Sequence, residues 1–466
     1  MLGCAGFPLL KTPHIDAFAR EGVRFTEAFC NYPACVPSRH SFISGLYPHE
    51  IGIRSNQEYI PRNAVFETIG TAVKKAGYVT AAIGKMHWKP LKTDPALVDA
   101  HKGFDYRSAF LAESEGAIEN IYRRGVGEET YGAFIREFHE YDGPGGESVK
   151  GYVGTVSAIP ADSQQDGWLA RDACAFIERQ DGGKPFLLVV SLDRPHPPSI
   201  VPPEFSGLYD PANVPLPPAA PEGFVEEDAR LRRRSRAWSG MTDHELRSSI
   251  ARYMENITYV DHLFGSVVGT LKKRGLSECT AVFFFSDHGE LLGGRGGCFS
   301  KYCLYDSALR VPLVVRWPGV GKEGAVVSAP VELIDLFPTW LDIAGLPAPE
   351  FLPGRSLRPL LKGKKPEEIA WRETAFAEMY NPTQWALRTQ THKLIVRPGG
   401  ANALYELKSD PHEFLNRYHD TRLGETKAQM LEDLANHAID RALKYPELSS
   451  RAPWDRRTSR SPAGTS

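Results

Sequence analysis

Four short apolar runs constrain this chain more than any other feature: YVTAAIG (78–84), PFLLVVSL (185–192), TAVFFFS (280–286) and VPLVVRW (311–317). Each is rich in branched or aromatic residues. None shows the polar alternation of a strand with one wet face, so each reads as a strand buried on both sides. Helical patterns precede the first three, over 66–77, 164–180 and 244–275. Helix alternating with doubly buried strand predicts an α/β fold, a large and mostly parallel sheet sandwiched by helices. The pattern changes late in the chain. TAFAEM, WALRTQTHKLIVR and NALYELKSD have the short, alternating character of antiparallel strands. The expected organisation is a main domain over 1–365, a small antiparallel α+β subdomain over 366–450 and a disordered tail over 451–466, where apolar residues run out.

Composition narrows the function classes. With 42% hydrophobic and 24% charged residues and a net charge of -2, the chain has no global attraction for nucleic acid. No apolar run reaches membrane-spanning length, and the N-terminus lacks a signal-peptide pattern. Seven cysteines, an odd number without zinc-type spacing, argue against a disulfide framework. A cytoplasmic protein is therefore expected. The basic run RLRRRSR (230–236) lies in a proline-rich stretch and is expected to be a solvated surface loop.

The residues just past the strand ends carry the chemistry. Lys85 and His87 come after the first strand, Asp193 and His196 after the second, Asp287 and His288 after the third. In a parallel α/β sheet, ligands bind outside the carboxyl ends of the strands, so these residues converge on one rim. Asp287 offers a hard oxygen and His288 an imidazole nitrogen to one cation. Lys85, His87, His196 and Lys301 add positive charge or hydrogen-bond donors, and Arg39 adds a planar fork. Such a set suits a tetrahedral oxyanion, sulfate or phosphate, better than a carbonyl. No G-x-S-x-G elbow supports a serine hydrolase.

Cys35-Val36-Pro37-Ser38-Arg39, with Gly45 downstream, forms C-x-P-S-R-x-x-x-x-x-G. Together with KTPHIDAFAREGVRFTEAF, GLYPHEIG, GKMHW, SDHGE, KYCLYDSALRVPLVVRWPG and LYELKSDPHEFLN, this motif resembles the type I, formylglycine-dependent sulfatases of the alkaline phosphatase superfamily. The Asp-His pair is most similar to the choline-sulfatase and phosphonate monoester hydrolase branches. The resemblance implies that a formylglycine-generating enzyme oxidises Cys35 during maturation. The hydrated aldehyde then attacks the sulfur of a small sulfate ester and later releases sulfate by elimination. It implies one divalent cation, Ca2+ ahead of Mn2+ or Mg2+, on Asp287, His288 and residue 35. Arg39 would brace the modified residue, Lys85 and Lys301 would bind sulfate oxygens, and His87 would be the base of the elimination. His196 would face the leaving group, and Asn56 would contact the substrate through its amide. Neither nucleic acid nor membrane is an expected partner; a homo-oligomer is compatible with the pattern.

Two departures qualify the resemblance. The family's first strand ends in an acidic pair that binds the metal, shortly before the segment that here reads LGCAG, and this sequence begins Met1-Leu2-Gly3-Cys4. The expected consequence is an apolar slot in the sheet and a cation site with two protein ligands in place of four. A start assigned too late is the favoured explanation, and a truncated, weakly active or inactive chain is its rival. The second departure is the loop LLGGRGGCFSKY (291–302), whose glycines predict mobility before Lys301; Cys298 and Cys303 are expected to be packing residues. The rival functions are a phosphonate monoester or phosphodiester hydrolase on the same scaffold, and a non-catalytic protein with unconverted Cys35.

Overall fold

The structure, a computed structural model, describes residues 1–56, 66–87, 103–109, 119–141, 149–238, 240–380 and 383–451. The four predicted strands are present as β2 (Val79–Gly84), β4 (Phe186–Ser191), β5 (Val282–Phe285) and β6 (Leu313–Arg316), joined by three that the sequence did not mark, β1 (Val23–Phe25), β3 (Tyr106–Ala109) and β7 (Val326–Val327). β3, β2 and β4 form a parallel sheet in that order, with Val79 opposite Phe186 and Gly84 opposite Ser191. A second sheet runs β7–β1–β6–β5; β1 and β7 are parallel, whereas β6 is antiparallel to both β1 and β5. The arrangement is the expected α/β architecture, with strands of mixed direction in the second sheet. Apolarity could not show the reversed direction of β6, because a buried strand looks alike whichever way it runs.

The three helices placed by the sequence are present as α2 (Ile69–Lys75), α3 (Gln165–Glu178) and α5 (Asp243–Lys273), and the structure adds α1 (Cys35–Ser44), α4 (Ala229–Ser235) and α6 (Gly424–Arg451). A capping box opens α5. Thr242 Oγ1 accepts from Glu245 N at 3.2 Å, and Glu245 Oε2 accepts from Thr242 N at 2.7 Å. Ala81 and Ile83 of β2, Leu169 and Phe176 of α3 and Leu271 of α5 pack as one apolar cluster. The antiparallel strands β8 (Ala375–Met379), β9 (Gln384–Arg388), β10 (His392–Val396) and β11 (Ala403–Glu406) form a meander. Phe376, Leu387, Leu394 and Leu404 of this sheet pack against Met430 and Leu434 of α6. The tail from 452 onward lies outside the described residues.

The expected slot is present. Among the described strands, β4 pairs only with β2 and β5 only with β6, so each presents one open edge. Both strands are half-buried along their whole length, although their sequences are continuously apolar. They line one cavity of about 1050 Å³, which also reaches Leu263 and Val267 of α5 and ends at Cys35, Arg39 and Asp287.

The basic run 230–236 is not a surface loop. Asp228 accepts from Arg230 N (2.9 Å) and Leu231 N (3.0 Å), which starts α4, and Leu231 is buried. The charge count of the run hid one apolar position and its cap.

Candidate active site

Cys35 is the first residue of α1. Ala34 before it is extended, and Pro37 sits in the first turn, where its missing N–H costs nothing. The orphan N–H of Val36 is satisfied from outside the helix, by Asn56 Oδ1 at 3.0 Å. Gly45 ends the helix at φ 72°, where a side chain would also strike Phe337. Cys35 and Arg39, four residues apart, share one helical face. All of α1 is buried, with Cys35 only 2% exposed.

Arg39 binds the strand ends together. Its Nε donates to Asp287 Oδ2 at 2.8 Å, and its Nη1 donates to Ser191 Oγ at 2.7 Å and to the Lys85 carbonyl. His288 donates Nδ1–H to the Gly289 carbonyl (2.8 Å), which turns Nε2 toward Cys35 Sγ at 3.2 Å. The ligand atoms of Cys35, Asp287 and His288 lie within 4.8 Å of one another. One hard carboxylate oxygen and one imidazole nitrogen with its lone pair aimed inward fit a divalent cation, with residue 35 completing the group.

The second strand end adds a feature that sequence reasoning did not assign. Lys85 Nζ pairs with Asp193 Oδ1 at 2.8 Å, and both residues are buried. Burial alone raises the Asp193 carboxyl, but the charges of Lys85, His196 and Arg194 outweigh it and take it down to about 2. Asp166 of α3 fixes this strand end by accepting from Asp193 N and Arg194 N at 2.9 and 3.0 Å. His196 Nδ1 donates to the Pro197 carbonyl (2.6 Å), and its Nε2 accepts from Lys301 Nζ at 2.7 Å. Burial and the Lys301 and Lys85 charges lower this imidazole to about 4, so it is neutral at pH 7.

The surrounding charges act on residue 35. Burial raises the Cys35 thiol, but the Lys301 and Lys85 charges, with His288 whenever it is protonated, outweigh it, and the group is held well below the usual thiol range.

The structure thus gathers Cys35, Arg39, Lys85, His196, Asp287, His288 and Lys301. Asn56 lies beside them and also donates from Nδ2 to Tyr302 Oη at 3.0 Å, so its amide joins the mouth of α1 to that ring. His87 stands two residues beyond Lys85 with a left-handed backbone, φ 52°. The glycine loop before Lys301 is tied: Leu291 N donates to Ser300 O at 2.9 Å, and Gly293 N to Cys298 O at 2.8 Å. Arg295 within it is buried, pairs with Glu226 at 2.7 Å and lies 3.6 Å from the centre of the Tyr305 ring. Gly293, Gly296 and Gly297 supply positive φ angles for this path, while Cys298 and Cys303 are buried as expected. Tyr302 went unassigned although it stands directly after Lys301. Its place became legible only through Asn56, far away in sequence.

With this geometry in place, comparison with known proteins defines the class. The Sulfatase family model matches residues 1–346, and this chain belongs to that family. The C-terminal model of N-sulphoglucosamine sulphohydrolase matches residues 294–440. The chain is similar to an ulvan-active sulfatase of Formosa agariphila, at 28% identity over 95% of this chain and 78% of that protein. It is also similar to an arylsulfatase of Clostridium perfringens, at 27% over 89% and 86% respectively. Among solved structures it is similar to the phosphonate monoester hydrolase of Agrobacterium radiobacter, with a TM-score of 0.79 and 26% identity over 95% of this chain and 93% of that one.

Proposed function

We propose that this chain is a sulfuric ester hydrolase that cleaves a small sulfate monoester at residue 35. The observation that carries the reading is the placement of buried Cys35 at the first residue of α1, with its ligand atom and those of Asp287 and His288 all within 4.8 Å of one another. Formylglycine at position 35 would supply a diol hydroxyl as nucleophile, and a divalent cation on Asp287, His288 and residue 35 would supply Lewis-acid charge; Ca2+ is the ion we favour.

The chain's own residues do the rest. Lys85 and Lys301 hold the sulfate oxygens, and their charges offset those that build up in the transition state. Asp193 keeps Lys85 charged and aimed. Arg39 holds Asp287 in place and lends its own charge to the cluster. Lys301 Nζ donates to Nε2 of His196, so the pair can pass a proton to the departing alkoxide. Asn56 fixes the mouth of α1, and His87 is assigned as base for the release of sulfate. The seven unpaired cysteines support a reducing, cytoplasmic setting. No described helix is long and apolar enough to cross a membrane.

Peptide mass spectrometry of active protein should show the aldehyde or its hydrate at position 35. C35A should lose at least about a thousand-fold in turnover of 4-nitrophenyl sulfate, as expected when a nucleophile is removed. Full activity in C35A would defeat the proposal. The likeness to a phosphonate monoester hydrolase supports a second reading, because both esters are tetrahedral. A higher kcat/KM on 4-nitrophenyl phenylphosphonate than on 4-nitrophenyl sulfate would favour it.

A further inference from the structure

Lys301 stands between two residues with left-handed backbones: Ser300 has φ 75° and Tyr302 φ 70°. Neither is glycine, so each conformation is strained and has to be held by its surroundings. The two sides are held differently. After the lysine, Tyr302 N–H donates to the Pro33 carbonyl at 3.2 Å, and Tyr302 Oη accepts from Asn56 Nδ2 at 3.0 Å. Helix α4 backs that ring, with the guanidinium carbons of Arg230 and Arg234 at 4.6 and 5.0 Å from its centre.

Before the lysine the anchor is one carboxylate, Glu290. Its Oε1 accepts from Ser300 N–H and, at 3.3 Å, from Leu292 N–H, so it ties the two ends of the glycine loop together. Its Oε2 accepts from Tyr152 Oη at 3.3 Å. Tyr152 is buried in turn against Trp238 and Phe299, with ring centres 5.1 and 4.6 Å away. Packed aromatic rings therefore fix the carboxylate from behind. Both of its oxygens accept from the protein's own donors, the pattern of a tether. Glu290 follows Asp287 and His288 closely in sequence and lines the cavity with them. One side chain thus joins the turn that carries the cation-binding pair to the backbone beside Lys301, whose Nζ reaches His196 Nε2 at 2.7 Å.

We propose that Glu290 is a positioning residue of the reaction: by holding Ser300 N–H it keeps the backbone of Lys301 in the conformation that delivers the ammonium to His196 and to the sulfate oxygens. The inference rests on the assignment of Lys301 as a sulfate-binding residue. The reach of the carboxylate matters here more than its charge, because the bond that sets the lysine runs to a backbone N–H.

Two measurements test this together: calorimetric titration with inorganic sulfate, and kcat/KM on 4-nitrophenyl sulfate. E290Q keeps an oxygen at the same reach and loses the charge. E290D keeps the charge and withdraws the oxygen by a methylene. E290Q should stay within about three-fold of wild type in both measurements, whereas E290D should lose about ten-fold in each. In a K301A background the E290D change should cost less than about two-fold in kcat/KM, because its effect passes through the lysine. If K301A abolishes turnover outright, the comparison of E290Q with E290D decides. Equal losses in E290Q and E290D, wild-type behaviour of E290D, or its full effect persisting in K301A overturns the proposal, as does sulfate binding by the wild type too weak to measure. The expected pattern of sulfate binding in protein that carries the aldehyde yet never hydrolyses 4-nitrophenyl sulfate sinks the hydrolase assignment and leaves the positioning of Lys301 standing.

Discussion

Lys85 shows how one residue's charge is kept where water cannot reach it. Burial works against the ammonium, yet the adjacent Asp193 carboxylate raises its pKa overall. D193N removes one partner of a fully buried pair, a change that costs about 3–5 kcal/mol. The pH dependence has a definite sign. Asp193 is lower in the folded protein, at about 2, than its ordinary 3.8, so its contribution is fully present above 3.8 and is lost as pH falls toward 2. Denaturant unfolding should show wild type well above D193N at pH 7, with the gap closing between pH 3.8 and about 2. A constant gap across that range would assign the loss to packing. The D193N enzyme should also lose kcat about ten-fold or more, as the lysine loses its aim. Asp193 was visible in the sequence as the residue after a strand. Lys85 was visible in the same way, but their pairing was not, because it takes the strand order, β2 beside β4, to make the two ends neighbours.

At the scale of elements, what periodicity and apolarity express was readable, and what depends on long-range contact was not. The continuous runs gave β2, β4, β5 and β6 within a residue or two; the parallel pair β2 and β4 brings Lys85 and His196 to one rim, and β5 of the other sheet brings Asp287 and His288 to the same place. The role of α4 was hidden, since four arginines in a seven-residue helix say nothing about the ring two of them face. The seating of α6 was hidden as well. Arg441 of α6 is buried, donating from Nε to Glu50 Oε1 at 2.7 Å and from Nη1 to the Phe351 carbonyl at 3.1 Å. R441M should lower the thermal midpoint by several degrees, because the Glu50 carboxylate is left without its counter-charge. One turn earlier, His437 stacks on Phe376 with ring centres 4.1 Å apart. Burial, with the Arg441 and His49 charges, lowers His437 from 6.5 to about 3. It folds neutral, so stability is retained above pH 6.5 and falls as pH drops from 6.5 toward 3. H437F should flatten that part of the stability–pH profile measured by denaturant titration.

At the scale of the molecule, β4 and β5 belong to different sheets and, among the described residues, do not pair with each other. The open edges of β4 and β5 and the cavity between them form an apolar channel that ends at the catalytic rim. Under native conditions 8-anilinonaphthalene-1-sulfonate should bind this channel with a blue-shifted, enhanced emission, and L188D on β4 should reduce the signal. Emission matching that of the free dye would show the channel closed. The enclosure of α1 has a different consequence, one of timing. Cys35, Ser38 and Arg39 are 2%, 1% and 7% exposed, so the finished fold seals the tag that the proposed oxidation must read. Conversion and folding therefore compete for each new polypeptide, and the winner is decided once. A chain that collapses first is locked as thiol for its lifetime. On this reading the active fraction of a preparation is a record of its biosynthesis, and slowing the collapse, by lower temperature or by a variant that delays closure over α1, should raise the share of molecules bearing the aldehyde.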